Sequence, residues 1–159
     1  MADDVGETSN LIEQYPEVAE RLRALLAQSP NQTMVLFDLA PPKGTRYELE
    51  AGELSGGAAA GQRDVRNMQV RGAVVAISVD GGAAGGEFEL LLAYASGGGA
   101  SCGLFVNGVE QEALLLPKTG GWQTYKAVKL TVALKPGKNR MEIRSQAKSC
   151  VNLDYLELK

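Results

Sequence analysis

The stretch "GAVVAISVDGGAAGGEFELLLAYASGGGASCGLFVNG", residues 72–108, decides the fold class, because apolar and β-branched runs alternate in it with short glycine-rich breaks. This alternation of apolar runs and short breaks extends over most of the chain. It predicts strands near 46–51, 73–79, 87–95, 102–107, 123–134, 139–144 and 151–158. Asn107-Gly108, between "CGLFV" and "VEQEALLL", predicts a tight hairpin. No helical pattern separates these strands, which favours an all-β, antiparallel sandwich of two sheets.

The beginning of the chain has a different pattern and predicts a helix over residues 11–28. Pro16 suits the first helical position. The helix carries one apolar stripe, formed by Val18, Leu22, Leu25 and Leu26. "SPNQT", residues 29–33, then breaks the pattern. We therefore expect a helix with its linker over 1–33 and a β-sandwich module over 34–159.

The composition removes several classes of function. The 159-residue chain contains no histidine, which excludes Ser-His-Asp and Cys-His nucleophile pairs and histidine metal sites. A net charge of -3 without a basic stretch argues against nucleic acid as a partner. No run approaches the roughly 20 apolar residues of a membrane span. The composition and charge therefore argue against an enzyme, a nucleic-acid binder and a membrane protein.

Two cysteines, Cys102 and Cys150, lie far apart in the sequence and do not have a metal-binding spacing. In an exported protein they could form one disulfide. Two buried thiols are an equally good interpretation of the same pattern.

Three carboxylates in the first and last strands call for an explanation. In an extended chain Glu48 and Glu50 point the same way, and Asp154 stands among apolar residues of the closing strand. A lone carboxylate on an apolar face is costly unless it is paired or binds a metal. Terminal strands of a sandwich are commonly neighbours, so one Ca²⁺ could collect all three side chains. The alternative is a solvated edge with a capping aspartate.

Five segments in one order resemble the carbohydrate-binding modules of families 6 and 35, over roughly residues 46–159. They are "YELEAGEL", "GAVVAISVDGGAAGGEFELLLAYA", "LFVNG", "TGGWQTYKAVKLTVALKPGKNRMEI" and "VNLDYLEL". The resemblance implies a jelly-roll fold and a structural calcium held by Glu48, Glu50 and Asp154. It further implies that Trp122 stacks on a sugar and that Asn152 hydrogen-bonds it.

The sequence departs from this resemblance at one point that bears on the ligand. Many family 6 modules carry a second aromatic where this chain has Asn67 and Met68, within "RDVRNMQVRG". Three arginines crowd that segment instead: Arg63, Arg66 and Arg71. A guanidinium fork suits carboxylate or sulfate. We therefore expect Arg66 and Arg71 to contact an acidic group, as in a uronate-containing or sulfated polysaccharide, unless the arginines only solvate a loop.

Residues 3–27, "DDVGETSNLIEQYPEVAERLRALLA", resemble the C-terminal tail of formylglycine-dependent sulfatases. This implies a secreted or periplasmic protein in which the sandwich is attached to a sulfatase or another polysaccharide-active enzyme. The start does not read as a signal peptide, so we expect a piece of a larger exported chain.

Two functions follow as expectations. The first is non-catalytic carbohydrate binding that targets the attached enzyme to its substrate. The alternative is a structural or docking β-sandwich that packs on the catalytic domain without sugar affinity. An exposed Trp122 in a concave loop region favours the first, and a buried Trp122 favours the second.

Overall fold

The computed structural model describes residues 15–18, 20–21, 44–146 and 151–159, with the side chain of residue 112 excepted. Residue contacts group the chain into two units, Met1–Gln32 and Thr33–Lys159. Their assignment as separate domains stays a prediction.

In the first unit, residues 16–18 and 20–21 are helical. The helix was expected from residue 11, but Tyr15 is not helical, and Pro16 takes the first helical position that suits it. Val18 is exposed. The rest of the predicted helix, including Leu22, Leu25 and Leu26, lies outside the described residues. Among the residues that the structure does describe, none belongs to a helix long and apolar enough to cross a membrane.

The described residues of the second unit form eleven strands. They are β1 (Thr45–Glu48), β2 (Glu53–Ser55), β3 (Ala59–Ala60), β4 (Val65–Arg66), β5 (Val74–Asp80), β6 (Gly86–Ser96), β7 (Ala100–Val106), β8 (Val109–Leu116), β9 (Gly121–Leu134), β10 (Lys138–Ser145) and β11 (Asn152–Leu158). A short 3₁₀ helix, Leu49–Ala51, follows β1 directly.

The strands form two antiparallel sheets, which confirms the predicted fold class. Sheet A has the order β3-β4-β11-β6-β9, and β1 also pairs with β11. Sheet B has the order β2-β5-β10-β7-β8. The predicted hairpin is also confirmed, since Val106 pairs with Val109 across the Asn107-Gly108 turn and Asn107 has a φ of 52°. The first and last strands are neighbours, as expected for a sandwich.

Two features of the strand prediction were wrong or incomplete. The first strand was expected over 46–51, but it ends at Glu48, and the chain then coils into the 3₁₀ helix. The short strands β2, β3 and β4 were not predicted. They lie in or beside a Gly- and Ala-rich stretch, so their conformation is decided by pairing, of β2 with β5, of β4 with β11 and of β3 with β4, rather than by their own propensity.

The core of this unit contains apolar side chains from both sheets. Fully buried examples are Leu92 and Leu153 from sheet A and Leu104, Met141 and Ile143 from sheet B. Cys102 of β7 is buried as well. Cys150 lies outside the described residues, so both interpretations of the cysteines stay open.

Candidate functional site

The three carboxylates singled out in the sequence come together where the first and last strands of the sandwich meet. β1 runs antiparallel to β11, and Glu48 is paired with Tyr155, the neighbour of Asp154. Glu50 joins them from the 3₁₀ helix. One oxygen of each carboxylate lies within 4.8 Å of the other two. The expectation that strand alternation aligns Glu48 with Glu50 was wrong, because the chain coils after Glu48 and brings Glu50 back by a turn.

The geometry and burial of this cluster fit a hard divalent cation. Ca²⁺ takes oxygen ligands at roughly 2.3–2.6 Å, so ligands on opposite sides stand about 5 Å apart. Asp154 is 2% exposed, and Glu50 Oε2 is buried without a hydrogen-bond partner among the described residues. A buried carboxylate oxygen without a partner is unfavourable. Glu48, Glu50 and Asp154 could therefore hold a calcium ion, which would supply the missing positive charge.

Two arginines partly compensate the charge of the cluster. Arg46 Nε lies 2.6 Å from Glu48 Oε1, and its guanidinium stacks 3.6 Å from the centre of the Tyr155 ring. Arg63 Nη2 donates to Asp154 Oδ2 at 3.3 Å. Burial raises the pKa of Asp154 above its ordinary value, against the lowering effect of Arg63 and Arg46. The two arginines thus do not fully offset the desolvation of Asp154.

A pocket of about 540 Å³ lies beside this cluster. Its lining includes Arg63, Asp64, Arg66, Trp122, Tyr125 and Asn152. Of the residues predicted to contact a sugar, the structure brings together Trp122, Asn152 and Arg66. Arg71 is exposed in a turn and is not among the described residues that line the pocket.

Trp122 forms an accessible wall of the pocket. Its residue surface is 48% exposed, and its indole packs against the backbone at Gly97. Asn152 Nδ2 donates to the Trp122 carbonyl oxygen at 3.4 Å, so the amide lies next to the tryptophan. The pocket therefore combines an apolar ring with polar side chains, as a saccharide site requires.

Sequence reasoning missed four residues of the pocket lining, and two of them, Asp64 and Tyr125, contact each other. The Tyr125 hydroxyl donates to Asp64 Oδ2 at 2.7 Å, and Arg66 Nε donates to Asp64 Oδ1 at 2.9 Å. Asp64 is 1% exposed. Burial, followed by the hydrogen bond to Asp64, raises the pKa of Tyr125 to about 12, so the phenol keeps its proton.

A register shift explains why Tyr125 was not predicted. Tyr125 pairs with Ala95 whereas Gly121 pairs with Ser96, so the three residues between them have no partner on β6. Regular alternation would put Trp122 and Tyr125 on opposite faces, but this irregularity lets both line one pocket. No sequence signal indicates it beyond the Gly120-Gly121 pair.

Residues 67 and 68, where many family 6 modules carry a second aromatic, do not provide a ring that could stack on a sugar. Met68 is fully buried in the core, and Asn67 is exposed with a φ of 63°. The second ring of the pocket is Tyr125, and the Arg63 guanidinium lies 4.6 Å from the centre of that ring. The pocket thus presents one open aromatic face and a cation stacked on the other ring.

No protein-family model matches the chain, and no curated protein matches it. Solved structures do. A family 35 carbohydrate-binding module from Clostridium thermocellum superimposes with a TM-score of 0.66 at 21% identity, over 73% of this chain and 97% of that one. A Paenibacillus sp. cycloisomaltooligosaccharide glucanotransferase in complex with cycloisomaltoheptaose gives 0.67 at 21% identity, over 90% of this chain and 22% of that one.

A third similar structure is an uncharacterised Listeria monocytogenes protein in complex with glucose, magnesium and calcium. Its TM-score is 0.66 at 24% identity, over 72% of this chain and 12% of that one. This chain thus spans only a small part of the two long proteins but nearly the whole length of the isolated module. At these identities the likeness concerns the fold, which is the jelly-roll β-sandwich of family 35 carbohydrate-binding modules.

Proposed function

We propose that the sandwich binds carbohydrate without catalysis. The observation that carries this proposal is the half-exposed Trp122 on a pocket flanked by polar side chains, among them Asn152 and Gln123. The Trp122 ring offers a flat apolar surface to the C–H face of a pyranose. The amides offer donors and acceptors to its hydroxyls. The volume of about 540 Å³ lies in the range of small-ligand pockets.

An acidic saccharide suits the charges of the pocket. Arg63 and Arg66 both line it, and their side chains are 64% and 56% exposed. A guanidinium binds carboxylate or sulfate through paired hydrogen bonds. We therefore propose a uronate-containing or sulfated ligand, bound by Arg66 and Arg63 rather than by Arg71.

The cation site is proposed to be structural. Glu48 and Glu50 stand at the start of the sandwich and Asp154 in its last strand, so a calcium ion held by all three would tie the two ends of the sandwich together. The support is the convergence of the carboxylates and the unpartnered Glu50 oxygen. Such an ion stabilises the fold because it binds the folded chain and not the unfolded chain.

The proposal about the larger protein that contains this module is supported by the sequence alone. Attached to a sulfatase or another polysaccharide-active enzyme in a secreted or periplasmic protein, the module would hold that enzyme near its substrate. Tethering raises the effective concentration of the second binding partner.

One observation favours the alternative, a docking domain without sugar affinity. The edge strand β8 exposes two apolar side chains, Val109 at 63% and Leu115 at 53%. An exposed apolar edge can pack against another domain.

An array of neutral, uronate-bearing and sulfated oligosaccharides, probed with calcium present, tests these functions. The native chain is compared with Trp122→Ala and with Leu115→Ala, which truncates an exposed apolar side chain of the other sheet. We expect at least tenfold weaker binding, about 1.4 kcal/mol, for Trp122→Ala alone. Equal binding by the native chain and Trp122→Ala, or no binding on any glycan, contradicts the proposal and favours the docking domain.

A further inference from the structure

Asp154 belongs to the carboxylate cluster and also contacts a residue that lines the pocket. Its carboxylate lies with Glu48 and Glu50 in the cluster. Its Oδ2 accepts a hydrogen bond at 3.3 Å from Arg63, a residue that lines the pocket. Asp154 is buried, whereas the Arg63 side chain is 64% exposed. The buried Asp154 carboxylate of the cluster thus binds the solvent-accessible Arg63 guanidinium of the pocket.

The other contacts of Arg63 allow it to respond to the state of Asp154. Its guanidinium stacks on Tyr125, at 4.6 Å from the ring centre, and a cation–π contact of an exposed side chain is weak. Asp154 is therefore the main electrostatic anchor of Arg63. If that carboxylate is engaged by a divalent cation, its attraction for Arg63 falls, and the guanidinium can serve an anionic ligand instead.

We propose that Arg63 couples the cation site to the pocket and sets the preference for acidic over neutral saccharides. The proposal rests on the saccharide-binding function proposed above. Cation binding at the carboxylate cluster and acidic-saccharide binding in the pocket then favour each other. By thermodynamic linkage each raises the affinity for the other by the same factor.

The other two arginines of the segment are not placed for this role. Arg66 pairs with Asp64, at 2.9 Å, and Asp64 is not one of the three clustered carboxylates. Arg71 is exposed in a turn outside the described lining of the pocket. Arg71→Ala is therefore a matched control, because it removes the same charge from the same segment.

The first arm of the test needs no saccharide. Calcium chloride is titrated calorimetrically into the native chain, Arg63→Ala and Arg71→Ala, after thermal melts show that all three are folded. Arg63→Ala removes a positive charge that competes for Asp154, so we expect it to bind calcium about two- to fivefold more tightly. Arg71→Ala should match the native chain. Equal calcium affinity of Arg63→Ala and the native chain overturns the coupling.

The second arm measures glucuronate and glucose binding by NMR titration, with calcium or with EDTA. In the native chain, calcium should raise the preference for glucuronate over glucose, and in Arg63→Ala it should not. Glucuronate also chelates calcium in solution, but this effect is the same in the titrations of both proteins and cancels when they are compared. If calcium does not change the preference of the native chain for glucuronate over glucose, the coupling is overturned, but the saccharide-binding function is not. Binding of neither sugar removes that function and the coupling together.

Discussion

The Trp122 indole lies directly against Gly97, where even a methyl group would crowd the ring. A Cβ placed on Gly97 would stand 3.2 Å from both Cε2 and Nε1 of the ring. This distance is shorter than an ordinary van der Waals contact, so the ring would have to shift by a few tenths of an ångström. The orientation of the proposed sugar platform is thus set by a glycine from the loop after β6.

Gly97→Ala is expected to weaken saccharide binding by about two- to fivefold, since it displaces the ring without removing it. Gly98→Ala is the matched control, because its Cβ would meet nothing within 4 Å. Titration with a glycan identified on the array measures both. Unchanged affinity in Gly97→Ala would show that the position of the ring does not matter for binding.

Calcium is expected to raise the melting temperature of the native chain by several degrees, and EDTA to reverse this. At a calcium concentration about a hundred times the dissociation constant, the gain in the free energy of unfolding is ~2.7 kcal/mol. Glu50→Gln should remove most of this response, because it takes a carboxylate from the cluster. Glu53→Gln, three residues on and outside the cluster, should keep it. Differential scanning fluorimetry decides, and an equal calcium response in both variants would contradict the site.

Tyr125→Phe is expected to lower the free energy of unfolding by about 1–3 kcal/mol, because it deprives the buried Asp64 of a hydrogen-bond donor. Tyr47→Phe also removes a hydroxyl, one that accepts from the Asp80 amide at an exposed position, so its cost should be smaller. Urea unfolding of both variants measures the difference. Equal destabilisation would mean that Asp64 is satisfied without Tyr125.

The stability of the fold is expected to fall in acid partly through Glu142. Hydrogen bonds from Arg140 and then Arg144 lower the pKa of this carboxyl below its ordinary 4.5. Its contribution is therefore fully present above about pH 4.5 and is lost as the pH falls through the lower, folded-state pKa. Glu142→Gln should flatten the decline in the free energy of unfolding over that acid range. Glu87→Gln, which changes an exposed glutamate of β6, serves as the comparison, and identical acid profiles of the two variants would contradict the assignment.

The strand pattern and the identity of the clustered carboxylates could be predicted from the sequence because both depend on local signals. Glycine-rich breaks define where strands such as β5 and β6 end, and the acidic residues stand out in apolar surroundings. The route by which Glu50 reaches Asp154 could not be predicted in this way. A 3₁₀ turn after Glu48 replaces the expected strand, and what fixes that turn is the burial of Leu49 against the core.

The sequence by itself determined the all-β class and the hairpin at Asn107-Gly108, since turn chemistry and periodicity act over neighbouring residues. The pairing of the first and last strands was expected from the sandwich class, whose terminal strands are commonly neighbours. Only the tertiary structure decided that Tyr125 and Asp64 belong to the pocket of Trp122, and that Arg63 lies between this pocket and Asp154. These contacts join residues 61 and 91 positions apart. They depend on a register shift in β9 and on the packing of a loop, which no local pattern specifies.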